Sequence, residues 1–245
     1  MGDADDDALE AARQRAIAAA CLGADAGPPG RLGLYRRLIQ GNLAADARRL
    51  LPRTAAQLDR VDEGAFSSWF SRFLAEASPQ TPYLRDVPVE FVHWAAPLWG
   101  ASTSIPPFVP DLARSEIDRF LVEAAPRAPA RTELGEVSLT SRLVFAAARK
   151  LARYDFAVDE LSEPPARKPT WVFLHRDDDN AVHTTRVDEV VGHILSELLV
   201  GAPLGVAVVR GAEAASVEPS EKVRGDVARL LAELGENGGL LGADR

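Results

Sequence analysis

Residues 170–187 carry the strongest β-strand signal in a sequence whose other periodic segments are mainly helical. The runs TWVFLHR and AVHTTRV are rich in β-branched and aromatic residues, and Asp177, Asp178, Asp179 and Asn180 separate them. The runs favour strands and the residues between them favour tight turns, so the segment is predicted to form a β-hairpin. A hairpin that follows a helical region restricts the chain to an α+β fold.

The predicted turn also determines which residues face each other. With the turn centred on Asp179, His175 lies opposite His183 on one face of the hairpin. Two histidines on one face are a candidate pair of metal ligands, although no third ligand occurs in matching register. The alternative is an ordinary cross-strand contact.

Both faces of the hairpin are apolar. One face carries Trp171, Phe173 and Val187, and the other carries Val172, Leu174 and Val182. A half-solvated sheet would not need two apolar faces. One face is therefore predicted to pack on helices, and the other on the first domain or on a partner.

Residues 34–51 predict a helix that faces the core, because apolar residues recur at helical spacing. These residues are Tyr35, Ile39, Leu43, Ala47 and Leu50. Asn42 lies beside this stripe and is interpreted as a buried amide with a local hydrogen-bond partner. Pro52 is expected to end the helix, because proline has no backbone N–H to donate.

Two further helices follow in this region. The first carries an aromatic stripe at Phe66, Trp69, Phe70 and Phe73, for which helix–helix packing is favoured over a ligand-binding role. In the second, which begins at Asp111, the spacing of Asp111 and Arg114 predicts an ion pair.

The order of these signals predicts three regions. Residues 1–125 form an N-terminal helical bundle domain, residues 126–169 a linker and bridging segment, and residues 170–245 a small winged-helix-like domain that contains the hairpin. Between residues 136 and 161, strand-like residues precede an alanine-rich run, so helix and strand both remain open there.

Composition excludes several classes of function. The chain has 28 Lys and Arg against 36 Asp and Glu, a net charge of −8 that disfavours binding to nucleic acid. Cys21 is the single cysteine, so the chain has no internal disulfide and suits the reducing cytoplasm. Neither a secretion signal nor a membrane span is expected.

The sequence shows no constellation typical of an enzyme. A nucleophile elbow, a phosphate-binding loop, a dinucleotide fingerprint and an HExxH motif are all missing, and the four histidines are scattered. The chain is therefore expected to be non-catalytic and to hold no cofactor or metal of its own.

The order of segments resembles a bacterial family labelled as DNA-binding domain proteins, which includes the accessory subunit of methanobactin biosynthesis. The similarity extends from about Leu34 to Leu241 and includes Tyr35, Asn42, Asp111, Arg114 and Glu116. The segments that carry it are LYRRLIQGNL, FLAEASPQTPYLRDVP, FVPDLARSEIDRFLVEA and WVFLHRDDDNAVHTTRV.

The resemblance implies an accessory subunit that binds the leader of a ribosomally made precursor peptide. Its partner would be a TIM-barrel iron oxygenase that modifies cysteines of the peptide, with the iron in that partner. A peptide that adds a strand to the hairpin would contact an edge strand. The residues expected to contact it are Trp171, Val172, Phe173, Leu174, Val182, His183, Thr184 and Thr185.

The alternative is a DNA-binding transcriptional regulator, as the family label suggests. Residues 170–245 contain seven Lys and Arg against thirteen Asp and Glu, a net charge of −6. Phosphate contacts need cations on the binding surface, so this charge disfavours the alternative.

Overall fold

The helical prediction for the first half of the chain is confirmed by the computed structural model, which describes residues 31–81, 83–127 and 134–244. A 3₁₀ turn at Leu84–Asp86 precedes the fourth helix. The helices are α1 (Arg31–Leu50), α2 (Pro52–Val61), α3 (Ala65–Glu76), α4 (Val87–Ala101) and α5 (Val109–Ala124).

The chain separates into two compact units, residues 1–117 and 118–245, and the boundary falls inside α5. The core of the first unit is aromatic. Phe66, Phe70 and Phe73 of α3 are buried, and each ring contacts Phe91 of α4 at centroid distances of 5.1–5.6 Å. These are edge or tilted ring contacts, as expected of helix packing. The prediction that this stripe packs against a neighbouring helix is confirmed.

The apolar stripe of α1 lies where the sequence predicts it, but Asn42 does not. Leu43 and Ala47 are buried, whereas Asn42 is exposed. The interpretation of Asn42 as a buried amide is therefore wrong, because the buried stripe turns away from Asn42 and continues to Leu51. The side chain of Tyr35 and all of residues 1–30 lie outside the described residues.

The last helix of the first unit is joined to α2 through Glu116. Its carboxylate accepts hydrogen bonds from the backbone N–H of Arg53 (2.9 Å) and of Thr54 (3.1 Å), and from the Thr54 hydroxyl (2.6 Å). Glu116 thus satisfies N–H groups that have no partner within the first turn of a helix. Asp111 and Arg114 form the predicted ion pair.

The second unit combines two small antiparallel sheets with three helices. The strands are β1 (Leu143–Phe145), β2 (Arg149–Tyr154), β3 (Thr170–Arg176), β4 (Val182–Val187) and β5 (Leu240–Ala243). The helices are α6 (Glu189–Leu199), α7 (Leu204–Ala214) and α8 (Glu221–Glu236). One sheet has the order β1-β5 and the other the order β2-β3-β4.

These elements confirm the α+β class and the hairpin. The segment predicted as a linker, 126–169, contains β1 and β2, and these strands pair with β5 and β3. The segment 136–161, for which helix and strand both remained open, thus contains strands. The likeness to a winged helix stays a prediction.

The three-stranded sheet is covered on both faces. On one face, Phe173 and Val187 belong to the same buried cluster as Ile194 and Leu198 of α6 and Leu234 of α8. On the other face, the hydroxyl of Tyr154 donates to Asp118 of α5 at 2.8 Å. The prediction that helices cover one apolar face of the hairpin is confirmed. The end of α5, which belongs to the same unit from Asp118 onward, lies on the other face.

Candidate functional site

The hairpin has one interior strand and one outer strand, and this decides which predicted residues can meet a peptide. β3 pairs with β2 on one side and with β4 on the other. Trp171, Val172, Phe173 and Leu174 all lie on β3, so their backbone groups are taken up within the sheet. β3 is therefore not a free edge, and contact between the side chains of these four residues and a peptide stays a prediction.

The physical reason is that β2, a strand distant along the chain, occupies the side of β3 that an isolated hairpin would leave open. Trp171 packs instead against α6, where its ring lies 5.2 Å from the ring of His193. A Cβ added at Gly192 would come within 2.5 Å of the Trp171 ring. Trp171 is thus a packing residue between sheet and helix.

The outer strand β4 carries the other four predicted residues, Val182, His183, Thr184 and Thr185. The backbone N–H of Asp177 donates to the carbonyl of Ala181 at 3.0 Å, which fixes the phase of the β3–β4 ladder. Hydrogen-bonded pairs alternate along antiparallel strands. Therefore His183 and Thr185 direct their backbone N–H and C=O groups toward β3.

The same alternation directs the backbone groups of Val182, Thr184 and Arg186 away from the sheet. The β2–β3 ladder has the complementary phase, since the N–H of Arg176 donates to the carbonyl of Ala148 at 2.9 Å. Within residues 31–81, 83–127 and 134–244, no backbone group pairs with this outer side of β4. The site is thus a row of three outward-facing residues on an open strand edge.

The end of α5 and the residues just beyond it flank this edge on one face of the sheet. Nη1 of Arg119 lies 3.5 Å from Oγ1 of Thr184. Arg127 donates to the side-chain oxygen of Asn180 at 3.3 Å and to the carbonyl of Asp178 at 3.4 Å. Two guanidinium groups are therefore held beside the open edge.

Arg186, the third outward-facing residue, has its charge neutralised. Its guanidinium binds both oxygens of Asp159, at 2.6 and 2.8 Å, and also Glu160 at 2.6 Å. Hydrogen bonds to Asp159 are the largest influence that raises the pKa of Arg186. This pairing ties the loop before β3 to the outer strand.

The opposite face of the edge contains the two predicted histidines, which do lie in register. Their rings stack at 5.0 Å, and Nε2 of His183 lies 2.7 Å from Oδ2 of Asp177. His175 is fully buried, with Nε2 3.0 Å from the carbonyl of Asn237. Burial lowers the pKa of His175, which favours the neutral ring.

The histidine pair therefore matches the cross-strand alternative, with each Nε2 already engaged by a protein oxygen. Among the described residues, no group of three or more His, Cys, Asp or Glu side chains is placed to hold a metal ion. The stacked rings instead connect β3 and β4 to the end of α8.

The first unit contains a cavity of about 200 Å³. It is lined by α2, α3 and the residues after α4, including Leu58, Trp69 and Ile105. Its one carboxylate is that of Asp62, and its remaining polar lining consists of serines. A single carboxylate without a paired base or nucleophile does not form a catalytic arrangement.

Comparison with known proteins adds no relative. A scan against models of protein families finds no match, and a search of curated proteins finds none either. In the part of the chain that the structure describes, no helix is both long enough and apolar enough to cross a bilayer. Fold and site together describe an α+β protein with an open strand edge flanked by arginines.

No sequence pattern indicated that arginines belong to this site. Arg119 lies in an ordinary helix pattern, and Arg127 lies in a segment that reads as a linker. Only the pairing of β2 with β3, and the position of residues 118–127 beside the sheet of the same unit, bring these two side chains to β4.

Proposed function

We propose that this chain is a non-catalytic accessory subunit that binds a ribosomally made precursor peptide along the outer edge of β4. It would present that peptide, in the cytoplasm, to an iron-dependent oxygenase that modifies the peptide's cysteines. The observation that carries the proposal is the open edge formed by Val182, Thr184 and Arg186. The oxygenase as partner is supported by the resemblance in segment order.

Strand addition explains how such an edge binds a peptide with little dependence on side chains. An extended peptide exchanges backbone hydrogen bonds with outward-facing residues, and its alternate side chains provide selectivity. β4 has six residues, so it offers a platform of about 20 Å. Open edges of this kind are normally blocked because they promote aggregation. An edge that stays open is therefore consistent with a partner strand.

The chemistry belongs to the partner in this proposal. The iron would lie in the oxygenase, and this chain would position the peptide so that its cysteines reach that iron. Binding of the leader at a fixed edge would raise the local concentration of the attached cysteines. The accessory chain then needs only a rigid edge and a second surface for the oxygenase.

The test replaces Thr184 by proline and measures the binding of a synthetic precursor peptide. A search of the neighbouring genes for a short cysteine-containing peptide comes first. The probe is a fluorescein-labelled synthetic copy of the peptide so identified, followed by fluorescence anisotropy. Thr184→Pro removes one outward N–H without removing a hydrogen bond of the sheet, so it should abolish binding in a folded protein. Thr184→Val keeps that N–H and should bind like the wild type.

The partner is tested by searching the neighbouring genes for a TIM-barrel metalloenzyme and co-expressing the chain with it. The full chain is expected to co-purify with both the oxygenase and the peptide. Co-purification with neither would contradict the accessory role. Peptide affinity that is unchanged in a folded Thr184→Pro protein would place the site away from β4.

A further inference from the structure

We infer that the β4 edge selects an acidic extended peptide whose carboxylates lie on one face of the added strand. This inference rests on the proposed function and specifies the chemistry of the peptide. It follows from the charges beside the edge, chiefly those of Arg119 and Arg127.

The protein does not neutralise these two guanidinium groups. Arg119 contacts the hydroxyl of Thr184, and Arg127 contacts an amide oxygen and a carbonyl. In the described ranges, neither forms an ion pair with a carboxylate. Arg186 differs, because Asp159 and Glu160 bind it. A chain of net charge −8 thus keeps two cations available at one strand edge.

The side chains of an added peptide strand would alternate between the two faces of the sheet. Successive residues point to opposite faces, so every second residue of an added strand shares a face with Val182 and Thr184. That face is the one flanked by Arg119 and Arg127. Arg119 contacts Thr184 and Arg127 contacts Asn180, four residues apart along the chain, so peptide residues that share this face would meet the two guanidinium groups at separate positions. Carboxylates are the side chains that pair with guanidinium in bidentate geometry.

Peptide residues that point to the other face would lie near Glu233. The hydroxyl of Thr185 lies 3.5 Å from a carboxylate oxygen of Glu233 in α8. Like charges placed close together repel, so an acidic residue is disfavoured beside Glu233. The expected peptide therefore carries its acidic residues on the face of Arg119 and Arg127 and neutral residues on the face of Glu233, rather than a continuous acidic run.

The experiment is a selection from a random linear dodecapeptide library displayed on phage, with the full-length chain as bait. Only clones that the Thr184→Pro chain fails to capture are analysed, which restricts the data to the β4 edge. Asp or Glu should be enriched at positions that share one strand face, an even number of residues apart, and depleted at the positions between them. A synthetic copy of the most frequent clone should bind the Arg119→Gln/Arg127→Gln double variant about tenfold more weakly, as expected for two exposed charge pairs.

Two controls separate local pairing from a general charge effect. Arg224→Gln removes one positive charge from α8, where Arg224 contacts only the carbonyl of Pro219 among the described residues, and should leave affinity within twofold. The loss in the double variant should shrink at 0.5 M NaCl, because salt screens exposed pairs. The charge reversal Arg119→Glu should weaken the acidic peptide further.

The outcomes distinguish this inference from the proposed function. Clones that need the β4 edge but lack acidic residues, or that ignore the double variant, would overturn the inference and leave strand addition intact. Clones captured equally by Thr184→Pro would overturn the proposed site itself. A concentration-dependent dimer that Thr184→Pro dissolves would make a second copy the occupant and overturn both.

Discussion

Removal of the Glu116 carboxylate should destabilise the first unit substantially, because this one side chain satisfies three donors at the start of α2. In Glu116→Ala, the hydroxyl of Thr54 loses its 2.6 Å partner in a position where Thr54 has no exposed surface. An unsatisfied buried donor costs about 1–3 kcal/mol, and loss of a helix N-terminal partner about 0.5–2 kcal/mol. Together these terms predict a loss of about 3 kcal/mol.

The pH dependence has a definite sign. Burial raises the pKa of Glu116 above its ordinary value of 4.5, in spite of the hydrogen bonds from Thr54 and Arg53. The folded unit therefore favours the protonated acid. The contribution of Glu116 is fully present below the unfolded pKa and is lost as pH rises through the folded pKa. Glu116→Gln does not titrate, so its cost should be larger near pH 4 than at pH 7.

The assay is urea unfolding of the full chain, followed by tryptophan fluorescence at several pH values. Three of the four tryptophans, Trp69, Trp94 and Trp99, report on the first unit. Glu90→Gln is the matched control, because its carboxylate accepts an exposed backbone hydrogen bond from Gln80. A loss below about 0.5 kcal/mol in Glu116→Ala, equal to that of the control, would refute the reasoning.

Four further predictions concern the second unit. Burial lowers the pKa of His175, so protonation of this ring favours the unfolded chain. The wild type should therefore lose stability in urea unfolding as the pH falls below 6.5, and His175→Phe should not show that loss. Gly211→Ala should cost about 2 kcal/mol or more in thermal unfolding, since its Cβ would lie 2.6 Å from the backbone of Ile194. Gly225→Ala, with nothing within 4 Å, should stabilise α8 by about 0.5–1 kcal/mol. Residues 170–245 have a net charge of −6, so no mobility shift with duplex DNA is expected at physiological salt; a salt-sensitive shift at low micromolar protein would favour the regulator instead.

Local patterns determined the parts of the fold that depend on neighbours in sequence. The helical spacing of Leu43 and Ala47 identified the buried side of α1, and the aromatic spacing of α3 identified its packing face. The turn residues between β3 and β4 placed His175 opposite His183, since a hairpin register follows from its turn. Periodicity did not show that Asn42 is exposed. A residue next to the apolar stripe lies at the boundary between core and solvent, and the spacing alone does not decide which side it takes.

The tertiary structure alone decided which strand is open and which charges stand beside it. β2 pairs with β3 through contacts such as Ala152 with Val172, twenty residues apart, and no local propensity specifies such a partner. That pairing makes β3 interior and leaves β4 as the outer strand. The end of α5 and the residues just beyond it, more than fifty residues before β4, then bring Arg119 and Arg127 to its edge. Sequence patterns determine local elements because helix and turn energetics are local. The site depends on contacts between segments distant in sequence, so it arises only when the whole second unit is assembled.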